Sequence, residues 1–297
     1  MTAAETYADR VDAVLAQRTR LRGAQPPGDL FGGLPPDHPL LRSDPQRPLG
    51  ANLAAIAAYV EPDDVLVDVG GGAGRYSLPL ALRCREVVNV DPSPAMGAGF
   101  VATAARAGIA NARFIHSGWP MADPPTGDIA LVNHVTYLTR DIVPFLLGLE
   151  ASARRRVVLT VNAPPPPSSN RALFRLIHGE EETLVPGHAE LAAVLWELGR
   201  LPDIRVLAEP GGPAGWVAPS REAAIEQALA RFANDQWTFW PLTPELAAHA
   251  RQVLAAHFDT LFDAAADGFA PRWSTPGQEV LITWEPASSA RQSPFVA

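Results

Sequence analysis

Lysine is missing altogether: all 24 basic residues in the 297-residue chain are arginine. This excludes mechanisms built on a lysine amine, Schiff bases among them, and the lysine clamp of Walker-type phosphate loops. Cysteine is nearly absent. Cys84 stands alone, so no intrachain disulfide can form, which fits a reducing, cytoplasmic setting. No apolar run approaches the roughly 18 residues of a membrane span. The charged opening "MTAAETYADRVDAVLAQRTR" lacks the apolar centre of a secretory leader, and no membrane partner is expected. Positive charge is in deficit, with 32 acidic residues and a net charge of −8. Nucleic acid is therefore a disfavoured partner, because binding it means neutralising phosphates. The arginines at 18, 20 and 22 and at 154–156 have no interleaved aromatics and read as solvated faces. His249 and His257 lie eight apart with no companion ligands, and the spacing of Asp128 and Asp141 defines no magnesium site. No metal is expected.

Glycine and proline, in contrast, are plentiful and unevenly spread. Thr2 and Glu5 are placed for a capping box ahead of a helix over 5–22, with Tyr7, Val11, Val14, Leu15 and Arg18 on one stripe. The Pro/Gly-rich stretch that follows reads as a loop to residue 50, held by Leu30, Phe31, Leu40 and Leu41. From 51 a short helix leads into alternating elements. Strands are expected at 65–69, 86–91, 112–116, 128–134 and 156–161, with helices at 74–84, 94–107 and 141–152 between them. Near-continuous Val/Ile/Leu strands are covered on both faces. The implied class is α/β: a doubly wound, mostly parallel seven-stranded sheet with helices on both faces. Helices at 170–178 and 187–200 and a strand at 203–209 follow. Two more helices, 220–233 and 244–265, form an insertion over 211–277 before a last, antiparallel strand at 278–285. Three parts are expected: a cap segment (1–50), a main domain (51–287) and a disordered tail (288–297).

The stretch "VLVDVGGGAGRYSLPLA" (65–81) carries the chemistry. A strand running through a glycine turn into a helix presents backbone N–H groups and a positive helix end to an anion. The dinucleotide fingerprint G-x-G-x-x-G fails, because its third glycine would fall on Arg75 or Ser77. The spacing is instead D-x-G-x-G-x-G over Asp68, Gly70, Gly72 and Gly74, with Gly71 extra. Pro79 removes one backbone bond in the helix that follows and predicts a kink or a widened first turn.

With "VVNVDPSPAM" following, where Asp91 ends the second strand 17 residues beyond Gly74, the chain resembles class I S-adenosylmethionine-dependent methyltransferases, well over 51–161 and loosely near 278–285. The resemblance implies S-adenosyl-L-methionine as cofactor. Its methionyl end would lie on Gly70, Gly71, Gly72 and Gly74, with Asp68 on the ammonium side, Asp91 on the ribose hydroxyls and Pro92 on the adenine. The acidic residue that commonly meets the adenine amine is replaced here by Ser117, Gly118 and Trp119. Asn133, at the end of the fourth strand, would touch the methionyl amine. His134 is the candidate general base, with Tyr137 beside it. Alignment of the reacting atoms can supply most of the acceleration, so no single indispensable catalytic residue is expected. A small organic molecule is the expected acceptor, at O, N or C. An RNA or protein acceptor and a nonenzymatic cofactor-binding regulator or partner subunit stand as alternatives. A homodimer is compatible with the sequence. Phe232, Trp237, Phe239 and Trp240 form either an acceptor wall or the core of the insertion.

Overall fold

The computed structural model describes residues 1–23, 28, 29, 31–35, 38, 40–165, 170–211, 216–233, 242–273 and 277–287. Five strands run parallel in the order β3-β2-β1-β4-β5: β1 (Val65–Val69), β2 (Glu86–Asp91), β3 (Ala112–His116), β4 (Gly127–Asn133) and β5 (Ala153–Ala163). Past β5 the sheet continues with β9 (Gly277–Trp284) and then β6 (Asp203–Gly211), and β9 is antiparallel to both neighbours. This is the doubly wound seven-stranded sheet expected from the alternation.

Burial explains the strands. All five residues of β1 are buried, as a strand covered on two faces requires. One face packs Val67, Val69, Val88, Val90 and Val132 against α5 (Ile142–Ser152) and α7 (His188–Glu197). The other packs Leu66, Val87, Ile129, Leu131 and Leu281 against α2 (Ala51–Ala57), α3 (Ser77–Ala81) and α4 (Pro94–Arg106). The first helix, α1 (Ala3–Arg22), begins at the expected Thr2–Glu5 capping box. Its Tyr7, Val11 and Val14 are fully buried in the first of these two cores.

Two expectations are corrected. The helix foreseen over 74–84 is confined to Ser77–Ala81, because 74–76 remain in the glycine turn. Pro79 thus sits in the first turn, where its missing N–H costs little. The Arg75 carbonyl that it leaves without an intrahelical donor accepts instead from Arg47 Nη2 at 2.7 Å. The helix foreseen over 244–265 ends early. α9 (Pro244–Ala256) and the short α10 (Phe258–Leu261) give way to a hairpin of β7 (Phe262–Ala265) and β8 (Gly268–Pro271).

α6 (Arg171–His178), α8 (Arg221–Ala233), α9 and this hairpin enclose a third core of Phe174, Trp216, Phe232, Phe258 and Phe262. Phe232 is buried in that core. Trp237, Phe239 and Trp240, like the tail from 288, lie outside the described residues. Among the described residues no helix is long and apolar enough to cross a membrane.

Candidate active site

The chain leaves β1 outward to β2 and β3, then returns to β4 on the other side of β1. At such a switch point the carboxyl ends of β1 and β4 part and leave a crevice. The glycine turn lies there. Gly70 takes φ +66°, and a side chain at this position would strike Val135. At Gly71 a Cβ would collide with Asp68 Oδ2 and Asn89 Oδ1, so two buried side-chain oxygens converge where the residue has only hydrogen.

The expected row of free amides is narrower than the spacing suggested. Gly70 N–H donates to the Val90 carbonyl, Gly74 N–H to the Gly71 carbonyl and Gly72 N–H to Asp91 Oδ2 at 2.9 Å. These donors hold the turn together and are not available to an outside anion. Asp91 Oδ1 accepts from Ser93 N–H at 2.8 Å. The N-cap of α4 is Ser93, whose hydroxyl accepts from Met96 N–H. Burial pushes the Asp91 carboxyl up, against the pull of these two amides.

Asp68 is buried at 1% exposure, and neither carboxylate oxygen has a hydrogen-bond partner among the described residues. Burial raises its pKa to about 7. The Ser77 hydroxyl lies near enough to pull slightly the other way, but outside hydrogen-bonding geometry.

Beyond the carboxyl ends of β2 and β3, Pro92 is exposed and its carbonyl lies 2.9 Å from His116 Nε2. Ser117 is half-buried and Gly118 exposed. Trp119 is anchored to α5, its indole N–H donating to the Phe145 carbonyl at 3.2 Å. The cap segment reaches this edge as well. Asp29 accepts from Ala95 N–H at the start of α4, and Phe31, Leu34, Leu40 and Leu41 gather on Ala73 and Met96.

Beyond β4 the backbone turns sharply. Asn133 Oδ1 accepts from the Thr160 hydroxyl at 2.8 Å, while its Nδ2 is buried without a partner among the described residues. His134 follows at φ +58°, a conformation that is rare outside glycine. Its N–H donates to the Thr160 carbonyl. Its ring is enclosed by polar groups from three other places in the chain. Nδ1 lies 3.0 Å from Tyr137 Oη, and Tyr137 Oη also accepts from Asn162 N–H. Nε2 lies 3.0 Å from Tyr76 Oη and 3.0 Å from Glu279 Oε1. Tyr76 donates to Glu279 Oε1 at 3.3 Å, and Asn52 Nδ2 donates to Oε2 at 2.7 Å. Burial pushes the Glu279 carboxyl up, but His134, Asn52 and Thr160 outweigh it and hold it below its ordinary value.

Asn52, Tyr76 and Glu279 were missed from the sequence, although each left a trace. Tyr76 stands two residues past the glycine turn, Glu279 interrupts an apolar strand, and Asn52 interrupts an alanine-rich helix. A cavity of about 180 Å³ opens past the carboxyl end of β5, bordered by Pro164, Pro165, Leu184 and Val185, with the Arg10–Glu190 ion pair on its polar side.

No family model and no curated protein matches the chain. Solved structures do. A Bacillus halodurans protein provisionally classed as a methyltransferase aligns at a TM-score of 0.53 and 12% identity, over 80% of this chain and 98% of that one. The shared property is the fold. It is a Rossmann-like methyltransferase fold. The YcgJ protein of Bacillus subtilis aligns at 0.49 and 17% over 78% of this chain and 97% of its own. A methyltransferase of Thiobacillus denitrificans in complex with S-adenosylhomocysteine aligns at 0.45 and 15%, over 80% and 92%.

Proposed function

We propose that the chain transfers the methyl group of S-adenosylmethionine to a small organic acceptor. The observation that carries this reading is Asp68, a buried carboxylate with no hydrogen-bond donor among the described residues, directly beneath a glycine turn at the switch point of the sheet. A buried anion without a partner is costly, and a cation settling on the turn would offset that cost. The methionyl ammonium is such a cation. Asp91 supports the other end: its carboxylate is fixed by Gly72 and Ser93, and its remaining lone pairs suit a pair of ribose hydroxyls. Gly70, Gly71, Gly72 and Gly74 leave room for close approach, and Ser117, Gly118 and Pro92 border the adenine side.

The cofactor brings a sulfonium-activated methyl group. The protein aligns the acceptor with it and excludes water, an effect worth on the order of 7–11 kcal/mol when alignment is good. The net charge of −8, which disfavours RNA, supports a small acceptor.

Titration calorimetry with S-adenosylmethionine and S-adenosylhomocysteine tests the binding half. Release of S-adenosylhomocysteine on a panel of small acceptors tests the transfer. Failure of wild-type protein to bind either cofactor form, or undiminished binding by Asp91→Ala, removes the reading. Binding without any methyl release would turn it into that of a cofactor-binding regulator.

A further inference from the structure

Three polar atoms form a closed triangle at the edge of the candidate site. Tyr76 Oη to His134 Nε2 is 3.0 Å, Nε2 to Glu279 Oε1 is 3.0 Å, and Oε1 to Tyr76 Oη is 3.3 Å. The His134 and Glu279 side chains are only 9% and 5% exposed, while Tyr76 is half-buried. The chain bears two costs at this point. A carboxylate is held charged out of water, where apolar packing would ordinarily be as stable or more so. His134 also takes a left-handed backbone conformation, a strain on the order of 1–3 kcal/mol that persists only where the surroundings impose it. Both costs fall where the crevice opens, beside the turn that carries Tyr76.

We propose that Tyr76 is the group that meets the acceptor, that His134 receives the acceptor's proton through it, and that the acceptor is therefore a weakly acidic hydroxyl compound. This rests on the methyl-transfer reading above and names its substrate class.

With neutral histidine and charged glutamate the triangle carries one negative charge and has room for one more proton. With the Nδ1 proton directed at Tyr137 Oη, the Tyr76 hydroxyl turns its one proton from Glu279 Oε1 to the lone pair of Nε2 at 3.0 Å. As the acceptor's O–H bond breaks, its proton passes to Tyr76 Oη while the proton already on Tyr76 passes to Nε2. The freed oxygen electron pair forms the new bond to the methyl carbon. The methyl–sulfur bond breaks, and its electron pair stays on sulfur, which becomes neutral. The imidazolium then donates to Glu279 Oε1 at the 3.0 Å already present, so the arrangement favours the charge that appears during reaction. Burial and Glu279 push the Tyr76 phenol up, so Tyr76 relays a proton without holding a charge of its own. Glu279 is a positioning residue, and Asn52 holds its second oxygen. An amine with a free lone pair, or a thiol already ionised, has no use for such a relay.

The test is a series of phenols of decreasing pKa, from alkylphenols near ~10 to nitrophenols ionised at the assay pH. Wild type, Tyr76→Phe and Glu279→Gln are compared by release of S-adenosylhomocysteine, with cofactor Kd from calorimetry and folding from circular dichroism. The expected loss of kcat in Tyr76→Phe is about 100-fold on alkylphenols, shrinking to within about threefold on ionised nitrophenols, with cofactor Kd unchanged. Glu279→Gln should show the same graded pattern, and it stands in if Tyr76→Phe fails to fold. An equal loss across the series means a structural role and overturns the proposal. So does no loss, or methylation of amines or thiols but of no phenol, or no phenol methylated by a protein that binds the cofactor. Absent cofactor binding by wild type is a different result: it removes the underlying methyl-transfer reading.

Discussion

Asp68 sets a definite pH dependence at the residue scale. Its folded pKa of about 7 lies above the ordinary aspartate value of about 3.9. The folded state therefore holds this proton more tightly than the unfolded chain. The stability it contributes is full below about pH 4 and is lost as pH rises through 7, a change on the order of 4 kcal/mol. Asp68→Asn should remove this dependence. Thermal unfolding of both proteins from pH 4 to 8 should show the variant gaining steadily on wild type as pH rises. A constant difference would mean that Asp68 keeps its ordinary pKa when folded. The same variant should bind S-adenosylmethionine at least tenfold more weakly at pH 8, because a charge partner of partly buried type is worth about 1.4 kcal/mol or more. Gly71→Ala is the steric counterpart. Its methyl would enter the space between Asp68 and Asn89, and cofactor binding by calorimetry should be lost in a protein that is destabilised by about 1–3 kcal/mol.

At the scale of elements, Tyr7 fastens α1 to the site. Tyr7 Oη, fully buried, donates to the Thr136 carbonyl at 2.7 Å in the turn that follows His134. Tyr7→Phe leaves that carbonyl without its donor and should cost about 1–3 kcal/mol in urea unfolding. An unchanged midpoint would show that the bond carries no net stability. Other elements show how far local pattern reaches. The capping box at Thr2 and Glu5 was legible because all its parts lie within four residues. The five parallel strands were legible because burial on two faces leaves a continuous apolar run. The hairpin after α10 was not read, although Asp267-Gly268 is a turn signal and Gly268 takes φ +139°. Alanine-rich helical periodicity up to Ala256 masked it. What overrides that periodicity is distant: Phe258 and Phe262 stack against each other and pack edge-on to Phe269 and Trp273. The start of α3 was displaced in a similar way, since the glycine turn absorbed three residues that pattern alone assigned to the helix.

On the scale of the whole molecule, the candidate crevice draws on the cap segment, the sheet and the turn together. Asp29 touches α4, Arg47 holds the Arg75 carbonyl, and α1 reaches Thr136. A ligand bound there should stabilise the entire fold. S-adenosylhomocysteine at a hundred times its Kd should add about 2.7 kcal/mol, seen as a rise of several degrees in Tm. A rise confined to one of two separable transitions would show that the cap and helical lobe unfold apart from the sheet.

The succession of strands along the chain, the glycine turn, and the aspartates within β1 and at the end of β2 were all present in the linear sequence. Each rests on neighbours in the chain: side-chain alternation, bare glycine backbone, a polar residue where an apolar run stops. The Asn52–Tyr76–His134–Glu279 cluster has no such local expression. Asn52 and Glu279 are 227 residues apart and meet only because β9 enters the sheet antiparallel, beside β5, bringing its first residues to the open end of the crevice. Register between distant strands is set by packing of the whole sheet, and that is why tertiary structure alone decided which side chains surround His134.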